Sequence, residues 1–288
     1  MSKQIHSKPV VVVIPVYEAK PKQEELRAFK NNINILKKHP ICMVTFQQCN
    51  LSEYDSIARE LDIDLQRENF PKECFTSVAA YNDLCLSLDF YQRFTDYEYM
   101  LICQLDVWIF RDEIIDWCRR GFDYIGAPIY YPYSEKRYTQ KFRGIGNGGL
   151  CLRRIAYCLS LLTSDKDKTL LTTKTILEMY WNFFLYNEAF TCSLAKRLSI
   201  IPIALGKMFG YKNSFNYFAA QHVNEDLLLG TWAEQSKHYS CHLPNELTAA
   251  EFSIEVNAEW LLKRLQGRTP MGVHAYEKWN NPLVPRSE

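Results

Sequence analysis

The sequence lacks any apolar run near the roughly 20 residues of a membrane-spanning helix, so no spanning segment is expected. It also lacks a surplus of charge of either sign. With 34 Lys and Arg against 33 Asp and Glu the formal net charge is +1, which gives no ground for a nucleic-acid partner. Its 10 Cys include no Cys-x-x-Cys pair. Cys42, Cys85, Cys103, Cys151 and Cys158 lie in apolar segments, as buried free thiols of a reducing compartment do, rather than in a disulfide or zinc framework. There is no Walker loop, internal repeat, heptad pattern or low-complexity tract. Lys3 and Lys8 ahead of Val10–Val16 outline a signal peptide faintly, but that run is short, contains Pro15 and leads to Glu18 and Lys20 without a small-residue cleavage site. The expectation is a soluble cytoplasmic protein with at most peripheral membrane association.

What is present suits an α/β fold. The 288 residues suffice for a sizeable core, and 14% aromatics (18 Tyr, 16 Phe, 6 Trp) are a high share, most of it expected inside. Val10–Val16 is a β-branched run with Pro15 near its end, the pattern of a central parallel strand buried on both faces. Residues 22–38 carry Leu26, Phe29, Ile33 and Leu36 at helical spacing, and His39-Pro40 ends the helix. A strand over 41–47 and a short helix with a third strand near 57–65 continue the alternation, which predicts parallel βαβ units. Further on, the pattern predicts one long helix over 75–94, a short helix over 112–119 and a strand over 122–125. After these come a helix over 176–198, a strand over 200–203, a loop over 204–221, a late strand near 252–256 and a helix over 258–265. The reading is a single domain with a mostly parallel sheet flanked by helices. Residues 9–128 form a front half, 129–274 a back half and 275–288 a tail.

Four stretches carry chemistry. Met100–Cys103 is long enough for one buried strand, and it runs into Gln104 and Asp106. Two oxygen-bearing side chains at a strand end suit a hard divalent cation with a bound phosphate; alternatively Asp106 caps the turn and Gln104 pairs with backbone. Residues 129–143 show neither helix nor strand period, which is consistent with a functional lid or with a solvated loop. Gly144, Gly146, Gly148 and Gly149 surround Asn147, and glycine permits positive φ and close approach of backbone to a ligand. This stretch is not read as a dinucleotide fingerprint, because it falls mid-chain. Finally, Asn224-Glu225-Asp226 precedes Leu227-Leu228-Leu229, where Asn224 can cap a helix and the acids can sit at its positive end.

The ordered set resembles one family. Gln104-Leu105-Asp106 is similar to the Asp-x-Asp region of GT-A glycosyltransferases. The series continues with Asp123-Tyr124-Ile125-Gly126-Ala127-Pro128, Gly146-Asn147-Gly148-Gly149-Leu150-Cys151-Leu152-Arg153-Arg154 and Asn224-Glu225-Asp226. Together these look like a bacterial GT-A-like family catalogued as a domain of unknown function, with resemblance from about Val10 to His274. The resemblance implies a GT-A (Rossmann-like) enzyme, a hexosyltransferase of polysaccharide biosynthesis. It would move a sugar from a nucleotide-diphosphate donor to a hydroxyl of a glycan, lipid-linked or protein acceptor, with inversion. It also implies a divalent cation, Mn²⁺ or Mg²⁺, held by Asp106, Gln104 and His274, and a base, Asp226, with Glu225 beside it. Donor contacts would come from Pro15, Val16, Tyr17, Glu18, Tyr81, Asn82, Leu105 and Arg153. Sugar and acceptor contacts would come from Asn147, Gly148, Gly149, Tyr130 and Tyr131. Two rivals remain. The first is a non-catalytic sugar- or nucleotide-binding scaffold, since the neutral Gln104 amide binds such cations more weakly than a carboxylate. The second is a sugar-phosphate nucleotidyltransferase, although residues 16–22 lack the Gly-rich basic loop that such enzymes use.

Overall fold

The computed structural model describes residues 8–17, 21–131, 139–186 and 198–285, with backbone alone at 183–186. The strands in chain order are Lys8–Pro15 (β1), Ile41–Thr45 (β2), Leu65–Asn69 (β3), Tyr97–Cys103 (β4), Val107–Ile109 (β5) and Tyr124–Ile125 (β6). Pro128–Tyr130 (β7), Phe142–Ile145 (β8), Leu150–Arg154 (β9), Ser253–Ile254 (β10) and Gly272–His274 (β11) follow. Six form the main sheet, in the order β3-β2-β1-β4-β9-β6. The first four run parallel, and β9 runs antiparallel to both β4 and β6. Helices Gln23–Leu36 and Ser52–Glu60 make the crossovers between the first three strands. The protein is thus mixed α/β with a mostly parallel six-stranded sheet flanked by helices.

Strand periodicity divides the core in two. Val11, Val13, Met100 and Ile102 face one apolar layer; Val10, Val12, Ile14, Tyr99, Leu101 and Cys103 face the other. Both layers are dry, so Val10–Ile14 of β1 and Tyr99–Cys103 of β4 have no polar face, as their unbroken apolar sequence requires. A second sheet, β10-β11-β5, packs at the carboxyl end of β4. The buried Asn32 of the first helix pins it there. Its Nδ2 donates to Val107 O at 2.7 Å, and its Oδ1 accepts from Ile109 N at 2.9 Å.

Several local expectations need correction. The predicted helix over 75–94 is a 3₁₀ turn, Lys72–Phe75, and two helices, Val78–Cys85 and Leu88–Gln92. Ser77 and Ser87 cap these helices through Ala80 N–H and Phe90 N–H, so each serine starts a new helix. The predicted strand at 200–203 is the first turn of helix Ile200–Met208, where Pro202 is tolerated because first-turn N–H groups have no helical partner. Helix Phe215–Ala220 likewise replaces part of the expected loop. The ends of the loop read over 129–143 are strands β7 and β8, paired antiparallel; its centre, 132–138, lies outside the described residues, as does 187–197 of the expected later helix. Residues 275–285 pack rather than trail: Tyr276 and Val284 are buried in a third apolar cluster, with the Tyr276 ring edge-on to Trp108.

Candidate functional site

Two adjoining cavities, of about 580 and 320 Å³, open at the carboxyl ends of β1 and β4 and share Tyr17 and Gln104 in their walls. Ligands in open α/β sheets sit at this edge. The larger cavity collects Tyr81, Asn82, Asn147, Gly148, Gly149, Glu225, Asp226 and His274. The smaller takes Pro15, Leu105 and Asp106, together with Lys22, Glu25, Glu277 and Lys278. Residues scattered over nearly the whole chain therefore meet at one place. Val16 is buried, its N–H donating to Val44 O, and Glu18 lies outside the described residues.

The small sheet sets the first group. His274 lies opposite Val107 in the β5–β11 register, which brings Asp106 beside it; Glu255 follows directly on β10 and so reaches its other side. His274 Nε2 is 3.3 Å from Asp106 Oδ1, and its Nδ1 is 3.8 Å from Glu255 Oε1. Burial opposes the imidazolium, but the Asp106 carboxylate, with Glu255 behind it, overrides burial and lifts its pKa to about 10. Burial would raise the Asp106 carboxyl, yet the facing imidazolium holds it below its ordinary value. Among the described residues no three His, Cys, Asp or Glu side chains converge as a metal cage. The Asp106–His274 spacing still matches the edge, about 3 Å, of an octahedron with bonds of about 2.1 Å, so the two fit as neighbouring ligands.

The second group is the acid pair at the head of helix Glu225–Leu229, whose carboxylates are both buried. Asp226 Oδ2 accepts the Asn147 N–H at 2.6 Å, and Oδ1 accepts the Leu227 N–H at 2.8 Å. Burial and the neighbouring Glu225 charge raise the Asp226 pKa to about 6. Glu225 Oε1 is 2.7 Å from Arg153 Nη2. Arg153 is fully buried and also donates to Tyr91 Oη at 2.9 Å. This corrects the expectation of Arg153 as a donor contact: on β9 it points into the core behind the acid pair. Arg154, facing the other way, pairs with Asp123. Asn224 leads into the helix without a side-chain cap bond and instead lines the cavity.

The glycine-rich turn joins β8 to β9, and its role differs from the expected one. The left-handed residue is Asn147, at φ 77°, where asparagine is tolerated. Its Oδ1 accepts the Gly149 and Leu150 N–H groups and its carbonyl accepts from Tyr124 Oη, while Nδ2 is buried without a hydrogen-bond partner among the described residues, at the cavity wall. The glycines leave room for the functional side chains. A Cβ at Gly146 would lie 2.8 Å from Asp226 Oδ2, one at Gly148 would collide with Glu225 Oε1, and one at Gly149 with the His274 ring.

Two expected sugar contacts are elsewhere. Tyr130 is wholly buried, its hydroxyl donating to Glu246 Oε1 at 2.8 Å. Tyr131 lines a separate, larger cavity of about 860 Å³. Sequence reasoning missed Glu255, Asn32 and Phe75, whose ring lies 6.2 Å from that of the expected donor contact Tyr17 and nearly parallel to it. Only the partial β pattern near 252–256 pointed toward Glu255.

The profile of the DUF5672 family, described as proteins of unknown function, matches residues 64–274. The chain belongs to that family. The match takes in Gln104, Asp106, the Asn147 turn, the acid pair and His274, and leaves β1 and β2 outside. No curated protein matches the chain by sequence. Among solved structures, core-mannan synthase A from Aspergillus fumigatus, in a Mn/GDP form, is 11% identical over 82% of this chain and 72% of its own, with a TM-score of 0.40. The glycosyltransferase GlyE of Streptococcus pneumoniae is 13% identical over 98% of this chain, with a TM-score of 0.43; the match spans 57% of the GlyE chain. A cytidylyltransferase from Leptospira borgpetersenii is 8% identical over 54% of this chain and 63% of its own, with a TM-score of 0.32. At such values the likeness concerns general architecture and says nothing of substrate. Among the described residues no helix is long and apolar enough to cross a membrane.

Proposed function

We propose that the protein is a glycosyltransferase that moves a sugar from a nucleoside-diphosphate donor to an acceptor hydroxyl, with inversion. The observation that carries this is the convergence of the Asp106–His274 pair and the Glu225–Asp226 pair on cavities that share Gln104, at the edge where β1 and β4 end. The nucleotide occupies the smaller cavity, with Tyr17 beside its base and Lys22 and Lys278 near its diphosphate. Asp106 and His274, with the Gln104 amide beside them, would hold Mn²⁺ or Mg²⁺ next to the donor diphosphate. The bound cation supplies charge neutralisation for the leaving diphosphate.

The donor sugar lies in the larger cavity, where the Asn147 Nδ2 offers a donor that no group among the described residues uses. Asp226 takes the proton of the acceptor hydroxyl as that oxygen attacks the anomeric carbon and the bond to the diphosphate breaks. Its raised pKa suits a base working near neutral pH. Arg153 pairs with Glu225 and fixes its carboxyl group at the cavity wall, and Glu225 beside Asp226 makes Asp226 a stronger base.

Calorimetric titration with UDP and GDP, with and without MnCl₂, tests the reading. Mn²⁺-dependent binding that Asp106→Ala abolishes is the expected result. Binding that is unaltered by both the metal and the substitution refutes the metal assignment, and absence of any nucleotide binding refutes the donor assignment.

A further inference from the structure

The 860 Å³ cavity lies between helix Thr173–Tyr186, helix Ile200–Met208 and β8, away from the acid pair. Its lining is mostly apolar, with Leu177, Tyr180, Trp181, Ile201, Leu205 and Met208 prominent. Four of these, Leu177, Trp181, Ile201 and Leu205, keep 49–63% of their surface exposed, a contiguous apolar face of a kind that marks a binding groove. Lys141 and Arg143 stand on the β8 wall, and Glu178 is the one acid lining it among the described residues.

Two walls of this cavity continue into the acidic site. Along β8, Arg143 is three residues from Gly146, whose Cβ position abuts Asp226, a span of about 10 Å. On the other wall, Gln235 ends the helix Thr231–Glu234, which follows directly on Glu225–Leu229. Thr231 ties the two walls together, since its hydroxyl donates to Ile145 O at 2.8 Å and accepts the Ile145 N–H at 2.7 Å.

We infer that this cavity holds the hydrocarbon chain of an amphiphilic acceptor, a lipid phosphate whose sugar headgroup extends along β8 to Asp226. The inference rests on the glycosyl-transfer reading for the role of the lipid, but not for its binding. A volume of this size suits one chain of a small amphiphile. The Lys141 and Arg143 charges at the end nearer Asp226 suit the phosphate, and they set its hydrophobic part against the helices.

Farnesyl phosphate, kept below its micellar concentration, is the probe, titrated by calorimetry against the full chain. Saturable one-to-one binding is expected, weaker with farnesol and absent with inorganic phosphate. Leu205→Glu and Ile201→Glu, both at exposed positions and checked for parental circular dichroism, should each weaken binding at least about tenfold, because a buried charge would meet the chain. Arg143→Gln should weaken farnesyl phosphate and leave farnesol unchanged. Absence of saturable binding, or parental affinity in both glutamate variants, overturns the inference. So does a dimer in solution that Leu205→Glu dissolves, which would make the face a contact between copies. UDP and GDP binding, measured on the same samples, separates the two readings: lipid binding without nucleotide binding would retain this cavity and remove the glycosyl-transfer role.

Discussion

Replacing Glu225 by Gln tests the buried ion pair behind the site. The substitution keeps shape and an acceptor oxygen, so it removes only charge. Arg153 is then left wholly buried with neutral partners, Tyr91 Oη and Cys151 Sγ, at 2.9 and 3.2 Å. Two unit charges about 4 Å apart interact by about 4 kcal/mol at an effective dielectric near 20, and breaking a buried pair typically costs about 3–5 kcal/mol. Because the hydrogen bond survives in Glu225→Gln, a loss of about 3 kcal/mol is expected. At an m-value of about 3 kcal/mol/M in urea, that lowers the unfolding midpoint by about 1 M, with m itself unchanged. Arg153→Met should cost at least as much at neutral pH. The double variant Arg153→Met/Glu225→Leu should recover to within about 2 kcal/mol of the parent, because paired apolar groups remove both desolvation costs. Urea denaturation of the four proteins at pH 7 provides the measurement. A parental midpoint for Glu225→Gln, or a double variant no better than the worse single one, would refute the argument that this pair is held by mutual charge in a dry core.

Other predictions follow from the same geometry. Asp226→Asn should lower single-turnover transfer by about 10²–10⁴-fold with donor affinity kept, whereas a purely structural carboxylate would lower only the melting temperature. In the parent, transfer should fall about tenfold per pH unit below about 6, where Asp226 is protonated, and a flat profile from pH 5 to 7 would remove it as the base. The Asp226 pKa is raised on folding, so its contribution to stability is greatest below its unfolded value and is lost as pH rises through about 6; Asp226→Asn should lack that slope in urea midpoints. Mn²⁺ affinity should increase with pH, because the His274 imidazolium must release its proton to bind a cation, and pH-independent affinity in calorimetry would exclude His274 as a ligand. Gly149→Ala should reduce Mn²⁺-dependent nucleotide binding and destabilise by about 1–3 kcal/mol, through the collision with His274. Gly267→Ala, with open space but φ +77°, should cost about 1–2 kcal/mol in stability and leave binding untouched.

Much of the architecture was determined locally. Val10–Ile14 and Met100–Cys103 are too continuously apolar to have a wet face, so they had to lie centrally between two dry layers, and the helix between β1 and β2 followed from its apolar spacing. Gln104 and Asp106 were visible as polar residues out of place where such a run ends, whereas the Asn147 turn, Glu225 and His274 stood out through the resemblance of the ordered motifs. Where those motifs go was decided only by tertiary structure. Arg153 and Arg154 are adjacent, and alternation on β9 sends them to opposite faces; which face carries Glu225 depends on a helix 72 residues later. The glycines around Asn147 suggest unusual backbone when seen alone, yet in the fold they provide space for side chains from two distant segments. Ile200–Ile203 has strand composition but helical structure, and the helix leaves apolar side chains on the cavity wall. Glu255 joined the site through the β10–β11 register, a pairing of segments with no shared periodicity for the sequence to display. Local propensity chose the elements; contacts across tens of residues chose which polar groups were buried together, and so where chemistry can occur.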